Sequence, residues 1–136
     1  MSDYPVVLYV EDDPKSRKVM KLFLEGRLNL SHVTILQDSS NFTAHLTHLD
    51  PRPDLIFLDI HVHPLDGFEM LTLIRENSAY NNVPIIALTA SVMGEEVAQL
   101  RQHGFSGCLA KPVDLDRFPS ILKQILNGDA VWYITD

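Results

Sequence analysis

Four apolar runs in this chain end on residues that can do chemistry. "VVLYVEDD" ends on Glu11, Asp12 and Asp13, "LIFLD" on Asp59, "PIIALTA" on Thr89 and Ala90, and "GCLAKP" on Lys111 and Pro112. Several carboxylates brought to one place repel one another, so either some take up protons or a cation binds. A hard divalent ion held by one or two carboxylates, a carbonyl and several waters is the natural magnesium site. Lys111 adds a second positive charge and Thr89 a hydroxyl donor. Such a set suits an incoming phosphoryl group, whose oxygens need neutralising while a carboxylate attacks phosphorus. Asp59 is the best candidate nucleophile, because the apolar run before it fixes it in the middle of the fold.

The elements that must position these groups read as alternating strands and helices. The runs 6–10, 33–36, 55–60, 84–90 and 107–110 are mostly continuous rather than alternating, the mark of strands buried on both faces. Helical spacing lies between them. Asp13-Pro14 offers an N-cap and a first-turn proline, with Val19, Met20, Phe23 and Leu24 on one face. Ser39 or Ser40 can cap a second helix whose face is Phe42, His45, Leu46 and Leu49. Phe68, Leu71 and Ile74 mark a third, and Val97 and Leu100 anchor a fourth over about 94–103. Phe118, Ile121, Leu122, Ile125 and Leu126 mark a fifth, stopped by Asn127-Gly128. Five such repeats predict an α/β fold, a flavodoxin-like (βα)5 three-layer sandwich with parallel strand order 2-1-3-4-5. In that fold ligands bind beyond the carboxyl ends of the strands, at the switch point between strands 1 and 3. All four chemical stretches fall at those ends.

Length and charge bound the rest. A chain of 136 residues with 46% apolar content fits one domain with a single core. The net charge of −7 argues against non-specific binding to nucleic acid or an anionic membrane. Cys108 is the sole cysteine, so no intramolecular disulfide or cysteine-based zinc site is expected, in keeping with a reducing, cytoplasmic location. The start, "MSDYPVV", lacks the pattern of a secretory signal, and no stretch approaches the roughly 18 apolar residues of a membrane span.

Taken in order, the motifs "VLYVEDDP", "LIFLDI…LDGFEML", "PIIALTA" and "AKPVD" resemble the receiver domains of two-component response regulators, over residues 4 to 127. Each motif is weak alone; the combination at these strand ends is specific. The resemblance implies that Asp59 accepts a phosphoryl group from a histidine of a partner kinase or phosphotransfer protein. It implies that Asp12 is a direct Mg2+ ligand, that Glu11 acts largely through water, and that Asp59 and the backbone carbonyl of His61 complete the shell. Lys111 would contact the phosphoryl group, and Thr89 would swing toward it. Pro112 would follow a cis peptide bond. Residues 1–128 would form a stand-alone receiver, followed by an apolar tail, 129–136. Its output would be binding of a downstream protein or relay of the phosphate to a second histidine, a signalling switch rather than a metabolic enzyme.

Two departures stand out, and two further positions bear on the phosphate's lifetime. The loop after Asp59 carries His63 where the family has proline, with Pro64 one place later, so its path is expected to differ. Cys108 stands where receivers often carry Tyr or Phe, so the aromatic half of the usual coupling to Thr89 is missing. His61 and Ser91, two residues after Asp59 and Thr89, are expected to tune the lifetime of the acyl phosphate.

Plainer readings stand beside these. Glu11-Asp12-Asp13 alone would be a solvated helix start. His61-Val62-His63 suggests a transition metal, but no third ligand matches its spacing. His45 reads as a partly buried packing residue, His32, His48 and His103 as surface residues, and Cys108 as a buried structural thiol. Val131, Trp132, Tyr133 and Ile134 either fold back on the domain or form an interface with a partner or a second copy as a homodimer. A receiver-like module that binds partners without turning over phosphate is the first rival. An aspartyl phosphatase is less favoured, because its second acid would stand where this chain has His61. A flavin protein is least favoured, since no phosphate-cradling loop follows the first strand.

Overall fold

Each continuous apolar run becomes a strand, and the polar residue that ends it lies at the rim. The computed structural model describes residues 3–90 and 94–133. The elements run β1 (Val7–Val10), α1 (Pro14–Lys21), β2 (Val33–Leu36), α2 (Phe42–His48), β3 (Leu55–Asp59), α3 (Gly67–Arg75), β4 (Ile85–Thr89), α4 (Gly94–His103), β5 (Gly107–Ala110), α5 (Phe118–Leu126) and β6 (Val131–Tyr133). The strands form one parallel sheet in the order β2-β1-β3-β4-β5-β6.

Strand side chains alternate between two cores. Leu8, Val10, Ile56, Leu58 and Ala87 pack under α2, α3 and α4 with Leu46, Met70, Ile74 and Leu100. Val7, Tyr9, Phe57, Ile86 and Leu88 pack against α1 and α5 with Met20, Phe23, Phe118, Ile121 and Ile125. β1, β3, β4 and β5 are buried along their whole length, which is why their sequences show no polar alternation. The three layers and the order of the first five strands are those expected from the alternation of strand and helix.

The structure decides one reading that was left open and differs from expectation in three places. Val131–Tyr133 add a sixth parallel strand beside β5, with Cys108 in register with Trp132, so this stretch folds back on the sheet. Ile134 lies outside the described residues. Ser39 and Ser40 do not cap α2; the N-cap is Asn41, at φ 55°, and it makes no side-chain cap hydrogen bond. Ser39 instead donates to the Leu65 carbonyl at 2.7 Å and accepts from the Leu65 amide at 2.6 Å, clasping the loop after β3. His45 is exposed, because the inward face of this short helix is filled by Phe42 and Leu46. Val19 is 49% exposed: α1 runs on into a wider π-helical turn, Leu22–Arg27, and the buried face is carried by Met20, Phe23 and Leu24.

Two helix starts matter for the site. Asp13 caps α1, accepting from the Ser16 amide at 3.1 Å, with Pro14 in the first turn. Asp66 and Glu69 form a reciprocal capping box at the start of α3. α4 is tied at its last turns, where Arg101 lies 4.2 Å from the centre of the Trp132 ring and His103 packs 4.7 Å from Phe68 of α3.

Candidate functional site

β1, β3, β4 and β5 end side by side, and their next residues meet in one shallow site. Glu11 follows β1, Asp59 ends β3, Thr89 ends β4, and Lys111 follows β5. The Lys111 Nζ lies 2.8 Å from Glu11 Oε1 and 3.4 Å from Asp59 Oδ2. Glu11 is wholly buried, Asp59 is 4% exposed, and Asp12 is exposed at the mouth. Oxygens of Glu11, Asp12 and Asp59 all lie within 4.8 Å of one another. The Lys111–Pro112 peptide is cis, as the resemblance implies.

Burial sets the electrostatics. Asp59 is raised from its ordinary 3.8 to about 7, first because burial disfavours its charged form and then because Glu11 stands beside it. Burial pushes Glu11 the same way, but hydrogen bonds from Asp59, Lys111 and Tyr9 outweigh it and hold Glu11 below the usual carboxylate range. The net picture is an ionised Glu11 and an Asp59 inclined to keep its proton. A divalent cation bound there would relieve that arrangement by taking the place of the proton. The donor set fits Mg2+: three carboxylates from two adjacent strands, one of them open to solvent, with no nitrogen or sulfur ligand required.

Some neighbours were not legible from spacing. The Tyr9 hydroxyl donates to Glu11 Oε1 at 2.7 Å, and burial and that hydrogen bond push its phenol far above the ordinary value. Tyr9 and Glu11 are two residues apart, hence on one face of an extended strand, which is the signal that was available. Arg17 of α1 donates to the Glu11 carbonyl at 2.9 Å. Thr89 is buried, and its hydroxyl donates to Glu96 Oε1 of α4 at 3.0 Å. His61 donates its amide to Asp59 Oδ1 at 3.1 Å, while its exposed ring lies 3.7 Å from the same Glu96 oxygen. His61 and His63 join no metal-competent cluster among the described residues. Cys108 is buried, and burial pushes its thiol up to about 11, as suits a structural thiol. Ser91 lies outside the described residues.

An aspartate at the centre of a parallel sheet, beside two acids and a lysine, is the arrangement of a phospho-accepting signalling domain. The family model for the response regulator receiver domain matches residues 7–123, and the chain belongs to that family of signalling switches. It is 28% identical over 124 residues to the polar-differentiation response regulator DivK of Brucella anthropi, covering 91% of this chain and 97% of the relative. Among solved structures it is similar to the receiver domain of a sensor histidine kinase of Pseudomonas aeruginosa, determined with magnesium coordinated in its active-site cleft. The two share 29% identity and a TM-score of 0.78, over 90% of this chain and 98% of that one. A chemotaxis response regulator of Vibrio cholerae shares 25% identity and a TM-score of 0.76, over 88% and 96% of the two chains. The acidic pocket of Glu11, Asp12 and Asp59 fits the phospho-aspartate and Mg2+ site of such domains. Among the described residues, no helix is long and apolar enough to cross a membrane.

Proposed function

We propose that Asp59 is the phospho-acceptor and that its donor is the phosphohistidine of a kinase or phosphotransfer protein. The observation that carries this is the buried Asp59 carboxylate, 3.4 Å from the Lys111 ammonium and grouped with the acids Glu11 and Asp12. An Asp59 oxygen attacks phosphorus as the phosphorus–nitrogen bond of the donor opens. The electron pair leaves with the imidazole, which takes up a proton. Asp12, Asp59 and the His61 carbonyl would hold Mg2+, with Glu11 acting through water; bound there, the ion neutralises phosphoryl oxygens. Lys111 screens the charge that accumulates on the phosphoryl group, and Thr89 donates its hydroxyl to a phosphoryl oxygen.

The protein donor has a place to sit. A groove beside the site is lined by Ser16, Val19 and Met20 of α1 and by Ala90, Pro112 and Val113. Val19 and Leu22 of the first helical stretch are 49% and 63% exposed, giving a partner helix apolar surface next to the acceptor. The phosphorylated form then shifts a two-state surface toward a downstream partner or passes the group to another histidine. His61 and Ser91 tune the rate at which water hydrolyses the acyl phosphate.

The test is incubation with acetyl phosphate and Mg2+, read by intact mass. One phosphoryl group should appear on the wild-type chain, and none on Asp59→Asn or in the presence of a chelator. No modification of the wild type, with no response to beryllofluoride, would instead make the chain a constitutive binding module.

A further inference from the structure

We propose that Glu96 holds the Thr89 hydroxyl in the unphosphorylated state, and so sets how readily the site accepts a phosphoryl group. This rests on the reading of Asp59 and Thr89 given above and adds a positioning residue to it. Thr89 is wholly buried and its Oγ1 donates to Glu96 Oε1 at 3.0 Å, a charge-assisted hydrogen bond. A threonine hydroxyl has one proton to give. Asp59 is in register with Leu88, the residue before Thr89, so a phosphoryl group on Asp59 arrives on the adjoining strand. Donation to that group and donation to Glu96 exclude each other. Each phosphorylation event must therefore break the bond from Thr89 to α4.

The carboxylate that loses Thr89 is not left alone. Its side chain is 19% exposed, and the His61 Nε2 already lies 3.7 Å from the same oxygen. His61 follows the acceptor by two residues and its amide is bonded to Asp59. Glu96 thus stands between the two strand ends, bonded to one and within reach of the other. Its exchange of partner, from Thr89 to His61, would carry the state of Asp59 to the first turn of α4.

A double-mutant cycle tests this with beryllofluoride and Mg2+ as the phosphoryl mimic, by calorimetry on the wild type, Glu96→Ala, Thr89→Ala and the double variant. Glu96→Ala should bind the mimic about tenfold more tightly, the size of one charge-assisted hydrogen bond no longer broken. In the Thr89→Ala background the same substitution should have no effect. Equal affinity of wild type and Glu96→Ala would overturn the proposal, as would the same gain in both backgrounds, which is plain charge repulsion. Glu96→Gln, with smaller gains in the same direction, serves if the alanine variant does not fold. A wild type that binds no beryllofluoride would overturn the acceptor reading itself, a result distinct from the others.

Discussion

The ammonium of Lys111 lies 2.8 Å from the carboxylate of Glu11, closer than its 3.4 Å approach to Asp59. Glu11 is fully buried and Lys111 only partly so, so the lysine is first of all the counter-charge of the β1 acid. Its reach to Asp59 is the looser of the two contacts. A phosphoryl group on Asp59 would draw the ammonium away from an acid that Tyr9 continues to satisfy.

Replacement of Lys111 by Met should therefore destabilise the protein, and not only silence it. Leaving Glu11 buried without its counter-charge should cost about 1–3 kcal/mol. Saturating Mg2+ should recover part of the loss, since it supplies charge to the same acids. Urea denaturation with and without Mg2+ checks this; an equal loss under both conditions would contradict it.

Metal-free stability should fall as pH rises toward neutrality. Asp59 titrates at 3.8 unfolded and about 7 folded, so between those values the native state binds more protons than the unfolded state. Stability then declines with rising pH across that window. The lowered Glu11 acts oppositely, but its contribution is lost only on acidification below its ordinary 4.5. Thermal melts in a chelator should drop from about pH 5 to about pH 7.5, and Mg2+ should flatten the slope.

Tyr9→Phe should cost about 1–2 kcal/mol, because it removes a buried donor from Glu11 and leaves the ring packing intact. Chemical denaturation reads the loss. In a Glu11→Gln background the penalty should shrink, since the acceptor is no longer ionised.

Gly107→Ala should dislodge β6 while sparing the five-strand sheet. A Cβ at position 107 would overlap the Val131 carbonyl and come within 3.2 Å of the Ile86 side chain. Trp132 is the sole tryptophan, so its fluorescence should shift toward that of a solvated indole. Retained far-ultraviolet circular dichroism would show that the remaining sheet persists.

Cys108→Tyr would restore the aromatic residue that receivers often carry, but this core has filled the space. Cys108 is buried in the cluster with Leu100 and Phe105, and Trp132 lies in register beside it. Overpacking should cost about 1–3 kcal/mol in thermal or urea denaturation.

Strand ends were legible because a run buried on both faces shows where the polar residue begins, and that placed Glu11, Asp59, Thr89 and Lys111 together. β6 was not, since three residues carry no periodicity and a Val-Trp-Tyr stretch reads equally as strand or patch. Glu96 was hidden for another reason. It lies seven residues from Thr89, across a strand-to-helix turn, and only the docking of α4 brings the two together. Ser39 looked like a helix cap because its type suits that role, yet its hydroxyl is taken by Leu65 from a distant loop. Local chemistry is shared between caps and clasps, and tertiary proximity decides between them.

The last turns of α4 are fastened by Arg101 against Trp132 and by His103 against Phe68, whereas its first turn is bonded to the end of β4 through Glu96 and Thr89. A rod pinned at its far end cannot slide when its near end is released; it swings. Displacement should be greatest around Glu95 and Glu96 and dwindle toward His103, so any protein that senses the difference would grip the helix at its first turn.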